Sequence, residues 1–315
     1  MSTATDAPVE ETLAWEAEKR PRISTIAIVG GLLTVTGNIL FTVISNGGPT
    51  EDDGFISLTG ALQERLDGQA PEGPSLLVRQ FDHLGDNALL LSLSTILVAL
   101  AAIALALTVL FLYRAAAARS DQVGRLPFYM AATGLIMYPL GRCIRDFALW
   151  FGAAGFEDDP DRTAGAARDL GRSAPVAAGS LIEFFGTFAL AVGIVLISIY
   201  AMRVGLLTRF FGVLGIITGV LVSGILAVFQ ADQPGIVRSF WMIGVGLVIA
   251  GRLNTPPAWE TGRAEPWPSQ QELREQRAAA QGTRSDRAER IGRTDDEGDA
   301  PPKPEHARKK RKRRR

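Results

Sequence analysis

The chain has a single cysteine, Cys143, and two histidines, His83 and His306, among its 315 residues. One thiol excludes an intramolecular disulfide and any CxxC redox or zinc motif. Cys143 lies in an apolar block and neither histidine does, so a Cys–His catalytic couple is excluded as well. GxSxG, HExxH, GxxxxGK[ST] and a GxGxxG after a strand are all missing, which removes the commonest signatures of hydrolases, zinc proteases and nucleotide-binding enzymes. There is no excess charge of either sign either, with 33 acids facing 33 bases. The sequence therefore implies no cofactor and no metal, and Cys143 reads as a small packing residue.

What the chain has is long apolar blocks, not apolar residues spread with a period of 2 or 3.6. A helix needs roughly 20 apolar residues to cross a hydrocarbon layer about 30 Å thick, and as a helix it satisfies its own backbone polar groups there. Residues 23–45, 87–113, 181–202 and 210–229 meet this requirement directly. Residues 127–151 are long enough but carry charges, and 235–251 is short, with Arg238 near its start. The expected fold class is all-α, a polytopic transmembrane helical bundle of about six spans with a disordered cytoplasmic tail. Its parts are an N-terminal segment 1–22, a membrane domain 23–252 with outer loops 46–86 and 152–180, and a charged tail 253–315.

Basic residues set the orientation, because short cytoplasmic loops carry the Lys and Arg. Lys19, Arg20 and Arg22 precede the first span, Arg114, Arg119 and Arg125 fill the second connection, and Arg203 and Arg209 fill the fourth. Loop 46–86 instead holds eight acids against Arg65 and Arg79. Six spans put every Arg-rich connection and both termini on the cytoplasmic side of a cell membrane. A cleavable signal peptide does not fit the first span, whose leader is acidic and whose apolar run is too long and lacks an A-x-A site.

In loop 46–86, Phe55, Leu58, Leu62 and Leu66 recur near helical spacing, which predicts an amphipathic helix at the outer interface or capping the bundle. The run EDDPDR at 157–162 looks like the aspartate motifs of prenyl-transfer enzymes, yet a single acidic run at a loop start reads as solvated. Gly215, Gly219 and Ser223 allow close helix approach, within the chain or across a homodimer. From residue 255 the composition predicts disorder, ending in Arg308, Lys309, Lys310, Arg311, Lys312, Arg313, Arg314 and Arg315. Each such base gains about 1 kcal/mol near an anionic leaflet. A flexible linker of about 55 residues reaches about 40 Å, far enough to return to the membrane. Anionic lipid headgroups are the expected partner, while nucleic acid is disfavoured because no aromatics interleave with the bases.

The third span, FYMAATGLIMYPLGRCIRDFALWFG, embeds Arg142, Arg145 and Asp146 between apolar halves. A charge at a helix centre costs roughly 2.5–3.5 kcal/mol on insertion scales, so it is normally paired or wet. Tyr138, Arg142, Asp146 and Trp150 form one stripe at i, i+4 spacing, so Arg142 and Asp146 pair within the helix. Arg145 is left for Glu183 of the fourth span, and the four charges then cancel. Thr34, Asn38, Thr42 and Ser45 add a polar stripe from the first span, and Arg238 enters from the same outer side. Three readings stay open. One is an outward pocket for an anionic or zwitterionic solute or lipid headgroup. Another is a structural network holding helices together. The third is a span broken at Pro139–Gly141 whose charges are wet.

The junction MRVGLLTRFFGVLGIITGV at 202–220 resembles an uncharacterised six-span bacterial membrane protein family of the domain-of-unknown-function type. A basic residue, a GLLPR-like turn and a Gly-rich helix recur in it, and Thr208 stands here where that pattern has proline. The resemblance implies a topology and no activity. The leading expectation is a non-enzymatic membrane interaction or scaffold protein using its basic tail. A transporter or sensor acting at the polar network is one alternative; a membrane enzyme with metal on the acidic loop is another. Unequal loops and the lack of matching broken helices count against an inverted-repeat carrier.

Overall fold

The structure, a computed structural model, describes residues 7–50, 53–67, 75–156, 158, 160, 162–223, 234–253 and 255–266. The basic cluster Arg308–Arg315 and everything else after residue 266 lie outside the described residues, as does most of the acidic run 157–161. Among the described residues all regular structure is helical, apart from an isolated bridge between Ile56 and Ser75. The long helices are α1 (Ala7–Asn46), α4 (Ala88–Ala117), α5 (Leu126–Phe156), α7 (Ala174–Arg203), α8 (Arg209–Val222) and α9 (Pro234–Ile249). Between and after them lie the short helices α2 (Leu58–Leu66), α3 (Leu76–Asp86), α6 (Ala164–Gly171) and α10 (Ala258–Thr261).

Helices α1, α4 and α7 are long and apolar enough to cross a membrane. α5, at 31 residues, has the length but carries Arg142, Arg145 and Asp146. The described α8 and α9 have 14 and 16 residues, about 21 and 24 Å of helix at 1.5 Å per residue, and residues 224–229 of the span expected at 210–229 lie outside the described residues. The α7–α8 turn shows why the junction breaks where it does. Gly205 takes the left-handed conformation (φ 79°) that closes a helix C-terminus, and the Thr208 hydroxyl then accepts from the Phe211 amide at 3.3 Å. Thr208 is the N-cap of α8.

The six long helices pack in chain order as a closed ring, α1–α4–α5–α7–α8–α9 and back to α1, with α4 and α7 also touching across it. Neighbours run antiparallel all the way round. Gly30 faces Ala104 while Gly37 faces Val98, Gly134 faces Leu190 while Gly141 faces Glu183, and Gly212 faces Met202 while Gly219 faces Val195. Leu105, Leu112, Leu190, Ile194, Trp241 and Met242 are fully buried in the interior.

The tightest contact is α5 against α7. Gly134 and Gly141 on one helix, and Gly179, Gly186 and Gly193 on the other, recur every seven residues. Each has neighbouring-helix atoms where a side chain would begin: Leu190 for Gly134, the Glu183 amide for Gly141, Arg145 for Gly179, Tyr138 for Gly186 and Ala131 for Gly193. A seven-residue repeat keeps one seam facing the partner, and small residues let the backbones touch. Gly215 and Gly219 do the same within the chain, against Ser198 and Val195 of α7, so the face considered for a homodimer is occupied there. Ser223 bonds its own helix, donating to Val220 O at 2.6 Å.

Several sequence expectations are corrected. The N-terminal segment 1–22 is not separate, since from Ala7 it is continuous with the first span through Pro21, whose carbonyl accepts from the Ser24 and Thr25 hydroxyls. α5 runs unbroken through Pro139–Gly141, which removes the broken-span reading. The tail does not begin at residue 253, because residues 255–266 pack into the bundle with Trp259 buried. The helix expected in loop 46–86 exists as α2, but its Leu62 and Leu66 are exposed. α3 and α6 do the capping instead. Phe81 meets the edge of Phe156 at 5.9 Å, and His83 Nε2 hydrogen-bonds Ile44 O at 2.8 Å.

Candidate functional site

The glycine seam brings the charged residues of α5 and α7 together, because Gly141 lies against Glu183 and Gly179 against Arg145. Arg145 Nε donates to Asp146 Oδ1 at 2.8 Å, and the same guanidinium pairs with Glu183. Arg142 stands 3.4 Å from Asp146 Oδ2 and 3.4 Å from Glu183 Oε1. Asp146, only 2 % exposed, also accepts from Thr95 Oγ1 at 2.8 Å, and that hydroxyl accepts in turn from Trp150 Nε1 at 3.3 Å. Both ion pairs read from the sequence are therefore present. Thr95 and its link to Trp150 were not foreseen, because nothing in α4's apolar run marks one hydroxyl as facing an acid fifty-one residues away.

Tyr138 is buried one turn from Arg142 and lies close to both the Arg142 and Arg238 guanidinium groups. Arg238 is 8 % exposed, and its Nε has no hydrogen-bond partner among the described residues. Asn38 stays apart from this network. Its Nδ2 donates to Thr34 O of its own helix at 2.8 Å, and its side chain meets Gly235. Cys143 is half-buried. A column of this kind, with most charges matched inside it, ties α4, α5 and α7 together; breaking one partner strands another charge at a cost of about 3–5 kcal/mol.

A second constellation, at the opposite end of the ring, was not found from the sequence. Arg119, whose side chain is wholly enclosed, grips both carboxylate oxygens of Glu16. It also donates to Ala258 O from Nε at 3.2 Å and from a terminal nitrogen at 2.7 Å, and to Ala115 O at 2.9 Å, so all five of its donors are used. Around it runs a stack of alternating origin. Arg114 lies 4.6 Å over Trp15, Trp15 stacks on Phe111 at 5.3 Å, Phe111 stacks on Trp259 at 6.0 Å, and Arg20 caps Trp259 at 4.9 Å. Cations over indole faces are favourable by about 0.5–2 kcal/mol each. Trp259 Nε1 further donates to Leu206 O at 2.9 Å, and Glu265 N to Val204 O at 3.1 Å. Arg20 Nε holds Ile249 O at 2.9 Å. The chain's two described ends are thus locked to each other and to the α4–α5 and α7–α8 turns. The signal in the sequence was the pair of tryptophans, Trp15 and Trp259, lying just outside the apolar blocks.

Among the described residues no group of three or more His, Cys, Asp or Glu is arranged to hold a metal ion. Arg162, at the end of the acidic run, pairs with Asp82. No protein-family model, curated protein or solved structure matches this chain.

Proposed function

We propose that the chain is a six-span protein of the cytoplasmic membrane with both ends inside, acting as a non-enzymatic interaction protein that holds a basic tail at the inner surface. The observation that carries this reading is the enclosure of residues 255–266. The root of the tail is fixed by Arg119 and Trp259 to the end of the ring where the Arg-rich turns lie. Because the composition after residue 266 predicts a flexible linker, a root fixed at that end raises the effective concentration of the terminal bases at the bilayer. Alternating helix direction around the ring and the meeting of the two ends support an even number of crossings. In nanodiscs of phosphatidylglycerol, trypsin should cleave residues 308–315 of the full-length protein more slowly than in phosphatidylcholine, and added salt should erase the difference. Equal cleavage in both bilayers sinks the reading.

A second reading keeps the polar column as a site for an anionic or zwitterionic solute or headgroup. The favouring observation is Arg238, which leaves one positive charge in excess among the described residues of the column. Labelling of Cys143 in intact cells by an impermeant maleimide would support it, whereas full protection would favour a closed network.

A further inference from the structure

A cleft of about 360 Å³ opens between α1, α4 and the start of α5, on the rim of the aromatic stack. Two helical stripes form its walls. On α1 these are Trp15, Lys19 and Ile23, each four residues from the last; on α4 they are Leu107, Leu110 and Arg114. Because the helices are antiparallel, both stripes grade the same way, from cation and indole at the end of the ring to aliphatic carbon deeper in. Arg114 is the first charge after α4's unbroken apolar run, which sets it at the level of an interface. Tyr113 and Phe128, ring centroids 5.7 Å apart, close the cleft at that same level.

The charges on this rim are available. Arg114 lies over Trp15 and has no carboxylate partner among the described residues. Among the described residues Lys19 pairs only with its neighbour Glu18, and their side chains are 39 % and 62 % exposed, so the pair is a weak surface contact. Trp15 is held in place by its stacking on Phe111. The cleft is therefore preformed, cationic at its mouth and greasy at its floor.

We propose that this cleft binds one anionic phospholipid, its phosphate between Arg114 and Lys19 and an acyl chain along Ile23, Leu107 and Leu110. Assigning the lipid to the inner leaflet rests on the orientation proposed above; the site itself does not. The site differs from the diffuse attraction of the terminal bases in being stoichiometric and tied to α1 and α4.

The test is native mass spectrometry of the full chain in detergent, with the eight terminal bases replaced by glutamine to remove diffuse binding. Phosphatidylglycerol should add as one saturable lipid, with phosphatidylcholine retained more weakly. Arg114→Gln should weaken retention about fivefold, the factor that about 1 kcal/mol per interfacial base represents. Leu110→Trp, which fills the floor and leaves both cations in place, should weaken it as well. Equal retention of the two lipids, or loss with neither variant, overturns the site. A lipid retained as expected together with termini that map to the outside would overturn only the orientation.

Discussion

Arg119 is worth most to the fold because of what it would leave behind. Its guanidinium is the one at ion-pair distance from Glu16 among the described residues, and Glu16 is 1 % exposed. Arg119→Ala should therefore lower stability by about 3–5 kcal/mol, read by thermal unfolding in detergent, since it strands a buried carboxylate. Replacing both partners, Glu16→Gln with Arg119→Gln, should cost less than the single change. Arg79 pairs with Asp82 at 3.5 Å while 54 % exposed, and Arg79→Ala should stay within about 0.5 kcal/mol of the parent. The contrast separates a pair that holds the ring's end from one that decorates its surface. Among the buried pairs, spacing decides which ones a sequence displays. Arg142 and Asp146 announce themselves by i, i+4 spacing inside an apolar helix, whereas Glu16 and Arg119 are 103 residues apart and each sits among other charges.

At the level of elements, the α5–α7 seam decides how the polar column is held. Gly186→Leu would drive a side chain into the backbone at Tyr138 and should abolish a folded, monodisperse product. Gly155→Ala, where nothing lies within 4 Å, should be neutral or stabilising by up to about 1 kcal/mol. If both variants purify with equal thermal stability, the seam is not the source of the column's geometry. Most of the helices were legible from their apolar length, which only a membrane or a core can use. The seam was not, because a repeat of seven is spread over two helices and no single turn displays it. α3 and α6 were hidden for a different reason. They are short, and they become helices by packing Phe81 and Ala167 against the end of α5, a surface that the sequence does not advertise.

For the whole molecule, the end-to-end lock predicts an asymmetric response to truncation. Ending the chain after residue 253 removes Trp259 and the acceptor on Ala258, and should cost about 3–5 kcal/mol by the loss of a buried tryptophan alone. Ending it after residue 267 should leave thermal stability unchanged while removing the eight terminal bases. Topology is checked at the same scale. Leu66→Cys, 81 % exposed on α2, should label from outside intact cells, and reporters fused to either terminus should read as internal. Labelling of Leu66→Cys only after lysis would reverse the orientation.

The lock between Trp15 and Trp259 also has a consequence for how the protein is made. The two indoles are 244 positions apart in the chain. At roughly 5–20 residues per second, a ribosome needs about 12–50 s between the first and the second. Once Phe111 and Arg119 have been made, Phe111 lacks its Trp259 neighbour and Arg119 its Ala258 acceptor until the end of that interval. Closure among the described residues therefore waits for residue 259, and any product that stops short of it keeps this end of the ring open to a protease or chaperone.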